Sequence, residues 1–260
     1  MFKPLFVVPM VMSFVFGCAA NYHSPAENSV VEKHLANTPV SRTSSWWMPR
    51  HNETLELVKK GGVDLLMVGD SIIDHWSDVG TETWEKYYVP RNALNLGFAG
   101  DNTEHVLWRV ENGEVDGLTP KLTVLMIGSN NSETDDYSAD QIADGIVNII
   151  KVLREKMPKS KILLLNMFPR GTGSRVFRVP LPDKISKGEQ WEKNNQIGTL
   201  AASEVVDDEW VFFLNINDSF LDENGQLTRD VMPDLLHLNE NGYKIWAKAM
   251  EPTIKNLMSE

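Results

Sequence analysis

The sequence contains a single cysteine, Cys18, among its 260 residues. A lone cysteine excludes an internal disulfide bond. Basic residues are scarce as well, because 25 Lys and Arg stand against 36 Asp and Glu, which gives a formal net charge of −11. An acidic balance of this size makes duplex nucleic acid and anionic lipid surfaces poor partners for the folded part of the chain.

Sequence patterns that bind metals and cofactors are also missing. The six histidines are scattered, and no spacing resembles a zinc site. The stretch Gly97–Asn102 (GFAGDN) has neither the lysine of a phosphate-binding loop nor the dinucleotide fingerprint. We therefore predict a protein that works without a metal and without a cofactor.

The first 17 residues are typical of an export signal. They hold one charge, Lys3, and a long apolar stretch that ends directly before Cys18. The order Val15-Phe16-Gly17-Cys18 resembles a bacterial lipobox, whose cysteine becomes lipid-modified and begins the mature chain. We predict a signal peptide over 1–17 and a lipid-attachment cysteine with a polar, flexible tether over 18–45. The expected location is the outer membrane or its periplasmic face, with plain secretion as the alternative.

From Trp46 to residue 260 the pattern is typical of one α/β domain. Helical stretches alternate with five apolar runs of strand length: Val63–Val68, Ala93–Leu96, Leu122–Ile127, Ile162–Met167 and Val211–Ile216. Runs that are apolar throughout indicate strands buried on both faces, so we predict a five-stranded parallel sheet with helices on both sides. In such folds the chemistry lies just past the carboxyl ends of the strands.

A serine at the end of the first apolar run is a candidate nucleophile. Ser71 follows the strand at Gly69, but a serine reacts only when a base takes its proton and a third group orients that base. Asp234 and His237 can supply both functions, because their spacing lets the two side chains project to the same side of one turn.

Donors for an oxyanion follow three different strands. Gly100 can offer a backbone N–H, Asn130 a side-chain amide, and Ser71 its own N–H close to a helix start. Each motif alone is weak, since short turns of this kind are common. Their order and their placement at strand ends favour one hydrolytic site.

Four sequence blocks together resemble the SGNH (GDSL-type) hydrolase superfamily. The blocks are Gly69-Asp70-Ser71, Gly100, Gly128-Ser129-Asn130 and Asp234-Leu235-Leu236-His237. Longer strings such as ALNLGFAGDNTEHVLWRVENGEVDG and DLLHLNENGY are most similar to the catalytic subunits of platelet-activating factor acetylhydrolase and their bacterial relatives. The resemblance runs from about Trp46 to the last helix.

The resemblance implies a flavodoxin-like, three-layer α/β/α sandwich. It also implies that Ser71 is the nucleophile, His237 the general base and Asp234 its orienting acid, with Gly100 and Asn130 as oxyanion donors. Two positions depart from the family pattern: Ile72 stands in place of leucine, and Asn131 stands where many members carry aspartate.

Substrate contacts are expected from two further segments. His75 and Trp76 follow the nucleophile by about one turn and are candidates to flank the acyl pocket. Arg170, Arg175 and Arg178 lie in a long basic connection, where they are candidates to bind an acidic sugar or a carboxylate, a solvated loop being the alternative.

We therefore predict an exported serine esterase that removes short acyl groups, above all O-acetyl groups, from carbohydrates. The expected partners are a small ester or acetylated glycan and, through Cys18, a membrane; nucleic acid is excluded and a homodimer stays open. Alternatives are a lipase or lysophospholipase, a glycan O-acetyltransferase with the same three residues, and a glycan-binding protein with an idle site.

Overall fold

A five-stranded parallel sheet forms the centre of the fold. The computed structural model describes residues 33–171 and 181–260. The strands are β1 (Leu65–Gly69), β2 (Ala93–Gly97), β3 (Leu122–Met126), β4 (Lys161–Leu165) and, after the short β5 (Lys184–Ile185), β6 (Val211–Leu214). Their order across the sheet is β2-β1-β3-β4-β6, with every pair parallel. β5 pairs antiparallel with β7 (Leu227–Thr228) in a separate ribbon. The predicted sheet is confirmed.

The apolar runs become strands because both faces of the sheet are covered. In β1, Leu65 and Met67 contribute to one core cluster, while Leu66 and Val68 contribute to the other. Successive side chains of a strand point to opposite faces, so a strand between two cores is apolar at almost every position. All five residues of β1 are buried, and so are those of β3.

Helices form the two outer layers of the predicted sandwich. They are α1 (Trp47–Val58), α2 (Ser71–Asp74), α3 (Thr81–Tyr87), α4 (Thr103–Glu111), α5 (Ala139–Lys156), α6 (Glu189–Glu204) and α7 (Glu240–Met258). α4 and α5 bury their apolar stripes in the core on one side of the sheet, while α7 packs into the core on the other. The three-layer α/β/α prediction is confirmed. Within the described residues, no helix is long and apolar enough to cross a membrane.

Residues 33–45, here called the N-terminal strap, pack onto the domain. Ala36 is fully buried, and its carbonyl accepts a hydrogen bond of 2.8 Å from Thr103 Oγ1. The Val40 N–H donates to the Glu104 carbonyl at 3.2 Å. The compact unit therefore begins at Lys33, so residues 33–45, which we predicted to belong to the tether, are part of the folded unit. The strap shows no hydrophobic period because backbone hydrogen bonds hold it. The predicted signal peptide and Cys18 lie outside the described residues.

Gly145 in α5 permits the close approach of the strap. A Cβ atom at this position would lie 2.4 Å from the Ala36 carbonyl oxygen and 2.8 Å from Thr103 Oγ1. A backbone oxygen cannot turn aside as a flexible side chain can. Any larger residue at this position must therefore push the strap away from the helix.

We expect Gly145→Ala to lower the free energy of unfolding by about 1–3 kcal/mol because it overpacks this contact. In an unobstructed helix the same change stabilises by about 1 kcal/mol, so the sign of the effect is diagnostic. Urea denaturation measures it, with Ser203→Ala at an exposed position of α6 as the control. A variant more stable than the unaltered chain contradicts the packing described.

Candidate active site

The nucleophile candidate is held where β1 passes into α2. The Asp70 carboxylate caps α2 by accepting the Ile72 N–H at 3.0 Å, which places Ser71 at the first helical position. Tyr243 of α7 donates its hydroxyl proton to the Ile72 carbonyl at 2.7 Å. At Gly97, a Cβ atom would lie 2.1 Å from the Asp74 backbone nitrogen, so α2 packs directly on the end of β2. These contacts leave Ser71 little freedom to move.

Three of the predicted site residues meet in a hydrogen-bonded chain. Ser71 Oγ lies 3.0 Å from His237 Nε2, and His237 Nδ1 lies 2.7 Å from Asp234 Oδ2. The aspartate accepts a hydrogen bond from the Nδ1–H group, which leaves Nε2 as the acceptor that faces the serine. The arrangement can remove the hydroxyl proton of Ser71 during an attack.

Asp234 and His237 share one side through a turn rather than through a helix. Leu235, between them, has φ = +59°, a left-handed conformation that costs a non-glycine residue about 1–2 kcal/mol. Its carbonyl accepts the Gly171 N–H at 2.8 Å, and its buried side chain anchors the turn. The other carboxylate oxygen, Asp234 Oδ1, accepts the His237 N–H at 2.7 Å. The strained backbone at Leu235 thus holds the imidazole in its orientation.

The Asp234 carboxyl stays ionised over the working range of pH. Partial burial opposes ionisation, but hydrogen bonds from the side chain and backbone of His237 outweigh it and lower the pKa of Asp234 to about 2. A carboxylate fixed in this state can hold the imidazole in one tautomer and stabilise it when it becomes charged.

Two of the three predicted oxyanion donors, Gly100 and Asn130, lie on neighbouring loops, and the third, Ser71, begins α2. Gly100 has φ = +77° and is exposed, in the turn that follows β2. Asn130 Nδ2 donates to the Asp101 carbonyl at 2.8 Å and lies 3.4 Å from Asp70 Oδ2. Asn130 therefore joins the loop after β3 both to the Gly100 turn and to the residue that precedes Ser71.

A buried ionic network that the sequence does not reveal supports the Gly100 turn. The Asp101 carboxylate accepts hydrogen bonds from Arg109 Nε and from Trp47 Nε1, each at 2.8 Å, and it has no exposed surface. The guanidinium of Arg109 also pairs with Glu114, whose other oxygen lies 2.8 Å from His51 Nδ1. The network connects α1 and α4 beneath the turn. The string WRVENGE contains two of its members, but no local pattern indicates that they are buried together.

Two residues predicted to contact substrate are buried and make structural contacts instead. Arg170 is 2% exposed, and its Nη1 donates to the Ser129 carbonyl at 2.9 Å, so it holds the loop that carries Asn130. Trp76 is fully buried against Tyr243 and Trp246, because its aromatic surface completes the core beneath α7. Both expectations are corrected accordingly.

Of the remaining candidates for substrate contact, His75 lies beside the site. The half-buried ring of His75 lies 5.2 Å from the His237 ring, centroid to centroid, so this residue does border the site. Arg175 and Arg178 lie outside the described residues. Within those residues no group of three His, Cys, Asp or Glu side chains could hold a metal ion.

Comparison with known proteins gives a consistent set of relatives. The family model described as GDSL-like Lipase/Acylhydrolase family matches residues 67–245. Platelet-activating factor acetylhydrolase IB subunit alpha2 of Rattus norvegicus is 32% identical over 214 residues, which cover 82% of this chain and 86% of that protein.

Two solved structures share the fold. A GDSL-like lipase from Bacteroides thetaiotaomicron superimposes with a TM-score of 0.59 at 16% identity, covering 80% of this chain and 97% of the other. An acetylxylan esterase from Geobacillus stearothermophilus does so with a TM-score of 0.56 at 16% identity, covering 77% and 95%.

The pKa of the Asp70 carboxyl is shifted in the opposite direction to that of Asp234. Its burial raises the pKa of Asp70 from 3.8 to about 6, despite the opposing Ile72 N–H and the nearby His237. The folded protein therefore holds this proton more tightly than the unfolded chain does. The carboxyl consequently weakens the fold as pH rises from about 4 to about 6.

We expect Asp70→Asn to remove this pH dependence, because the amide still accepts the Ile72 N–H but cannot ionise. Between about pH 4 and pH 7, the stability of the variant relative to the unaltered chain should improve by about 2 kcal/mol. Urea unfolding at both pH values measures the difference, with exposed Asp230→Asn as the control. An equal stability difference at the two pH values would refute it.

Proposed function

The chain belongs to the GDSL-like lipase/acylhydrolase family and is a carboxylic ester hydrolase, and we propose that it removes short acyl groups with Ser71 as its nucleophile. One observation carries the assignment of roles: Ser71 Oγ, the imidazole of His237 and the carboxylate of Asp234 form a continuous hydrogen-bonded chain at the carboxyl edge of the sheet. This is the arrangement that makes a serine hydroxyl reactive.

In the first step Ser71 Oγ attacks the carbonyl carbon of the ester. The hydroxyl proton passes to His237 Nε2 as the new C–O bond forms, and Asp234 stabilises the resulting imidazolium. The tetrahedral intermediate then collapses, and the bond from carbon to the alcohol oxygen breaks. His237 returns the proton to that oxygen, so the alcohol leaves and an acyl-serine remains.

Stabilisation of the intermediate comes from the two loops beside the serine. The negative oxygen accepts hydrogen bonds from the Gly100 N–H, the Asn130 side-chain amide and the Ser71 N–H. The Asp101 carbonyl holds the amide of Asn130 in place beforehand, so little reorganisation is needed during the reaction. Loss of one such donor typically lowers the rate by about 10²–10³.

The acyl-serine is hydrolysed by the same groups. His237 takes a proton from water, the hydroxide attacks the acyl carbon, and the bond to Ser71 Oγ breaks. The serine regains its proton from His237, and the carboxylic acid departs. A sugar hydroxyl in place of water would turn the enzyme into the acetyltransferase considered above.

The name of a relative, rather than a preformed cavity, supports a short acyl group. The gap that Ile72, Met126, Met167 and Phe168 border, next to the nucleophile in sequence, is too narrow to admit a water molecule. An acyl chain can enter it only by displacing these packed side chains, which favours a small group over a fatty acyl chain. The name acetylhydrolase, which the relative at 32% identity carries, agrees with an acetyl group.

An acetylated carbohydrate is the substrate class that we favour, with an acetylated phospholipid as the second candidate. The structural neighbour from Geobacillus stearothermophilus is an acetylxylan esterase, and the export proposed for residues 1–18 gives access to glycans outside the cytoplasm. The phospholipid is favoured by the printed name of the rat relative, a platelet-activating factor acetylhydrolase.

A series of nitrophenyl esters from acetyl to octanoyl tests the proposed acyl preference. We expect kcat/KM to be highest for acetyl, because a longer chain must displace more of the packed side chains around Ile72 and Phe168. We also expect kcat/KM to fall by at least about 10³ in Ser71→Ala. Acetylated xylan and platelet-activating factor, compared by acetate release, then separate the two substrate classes.

Other outcomes of this series identify the rivals. A maximum at octanoyl would favour a lipase or lysophospholipase and contradict the short-acyl proposal. Acetyl transfer to an added sugar, in place of acetate release, would favour a transferase. Hydrolysis that survives Ser71→Ala would refute the proposed nucleophile.

Lipid attachment at Cys18 is a separate proposal, supported by the resemblance of residues 15–18 to a lipobox. We expect bacteria that express the full chain to incorporate labelled palmitate into it and to lose the label in Cys18→Ser. Equal labelling of both forms would rule out attachment at this cysteine.

A further inference from the structure

The N-terminal strap reaches the turn that carries the Gly100 N–H. Arg42, near its end, donates from Nη1 to the Ala99 carbonyl at 2.7 Å and lies 3.3 Å from Asp101 Oδ1. A Cβ atom at position 100 would lie 3.1 Å from the same guanidinium nitrogen, so Arg42 covers one side of Gly100. The matched part of the family model begins at residue 67, and none of its blocks contains this arginine.

The contact with Ala99 concerns the same peptide group as the proposed oxyanion donor. The carbonyl of Ala99 and the N–H of Gly100 belong to one planar amide, in which the two bonds point in opposite directions. A partner that fixes the carbonyl therefore fixes the direction of the N–H. A charged donor on the carbonyl also polarises the amide, which makes its N–H a stronger hydrogen-bond donor.

The turn is closed by the Asp101 N–H, which donates to the Phe98 carbonyl at 3.1 Å, but this bond does not set the direction of the central peptide between Ala99 and Gly100. Gly100 is exposed and has no side chain. Its φ of +77° is only one of several backbone conformations that a glycine adopts readily, so the residue does not fix the peptide by itself. The Asp101 carboxylate is anchored from beneath by Arg109 and Trp47, but these contacts do not reach the Ala99 carbonyl.

We infer that Arg42 is a positioning residue that orients and polarises the Ala99–Gly100 peptide for oxyanion binding. The inference rests on the proposed esterase function. It makes the strap part of the catalytic unit, although the strap lies outside the sequence blocks that indicate the family. Since the negative charge that the Gly100 N–H would stabilise develops in the transition state, the effect of Arg42 should appear there.

Steady-state kinetics of Arg42→Ala and Arg42→Lys in the full chain test the inference. With nitrophenyl acetate, we expect Arg42→Ala to lower kcat by about 10- to 100-fold, which is less than the loss caused by removing a whole oxyanion donor. We expect KM to stay within about twofold of the unaltered value. Arg42→Lys should recover part of kcat, and millimolar guanidinium should raise kcat of Arg42→Ala alone.

Arg154→Ala is a matched control. Arg154 is buried to a similar extent, with 19% of its side chain exposed against 22% for Arg42. It also donates to backbone carbonyls, those of Pro158 and Ser160, but at the amino end of β4 and far from the serine. This variant should lose stability without a change in kcat.

Two kinetic results would overturn the inference. An unchanged kcat in Arg42→Ala shows that the peptide is held without the arginine. A rise in KM with kcat unchanged shows that Arg42 binds the substrate instead of positioning the peptide.

Backbone ¹⁵N relaxation gives a readout that does not depend on hydrolysis. We expect increased motion at the Gly100 amide in Arg42→Ala and not in Arg154→Ala; equal rigidity in all three proteins would refute the inference. If the unaltered chain hydrolyses no ester, the proposed function fails, and relaxation still decides whether Arg42 holds the turn.

Discussion

The carboxylate of Asp101 has no exposed surface, and a charge buried in this way is costly unless it is fully paired. Its partners come from three parts of the chain: Arg109 of α4, Trp47 of α1 and Arg42 of the strap. Its backbone carbonyl accepts the side-chain amide of Asn130. One residue thus aligns both loops proposed to bind the oxyanion. Removing a charged partner from a buried pair costs about 3–5 kcal/mol, so the site and the fold depend on the same contacts.

The nucleophile is fixed to this network from the other side. Arg109 Nη2 lies 3.3 Å from the carbonyl of Gly69, the last residue of β1, and its guanidinium packs over the Phe98 ring at 4.0 Å. Tyr243 holds the following helix through Ile72. The proposed nucleophile and the proposed oxyanion donors are therefore held by one connected set of contacts. An enzyme that stabilises a transition state with fixed hydrogen-bond donors needs such a rigid support.

The sheet and most helices can be predicted from the sequence because the runs of the central strands are apolar on both faces, a pattern that depends only on local composition. The hydrogen-bonded group of Ser71, Asp234 and His237 can be predicted as well, since the residues belong to two short motifs whose order and spacing fit one site. Arg170 and Arg42 cannot. Their functions depend on partners distant in sequence, 41 residues away for Arg170 and 57 for Arg42, and a basic residue in a loop is solvated by default. The strap has no hydrophobic period because backbone hydrogen bonds and single polar side chains such as Arg42, rather than an apolar stripe, make most of its contacts.

Acylation of Ser71 during turnover is the event on which the proposed chemistry depends. Acid quenching of the enzyme during hydrolysis of nitrophenyl acetate, followed by digestion and mass spectrometry, would detect it directly, because the good leaving group makes deacylation the slower step. The account predicts one added acetyl group on the peptide that contains Ser71, located on that serine by fragmentation. An acetyl group on a different side chain, or steady release of acetate with Ser71 never acylated, would contradict it.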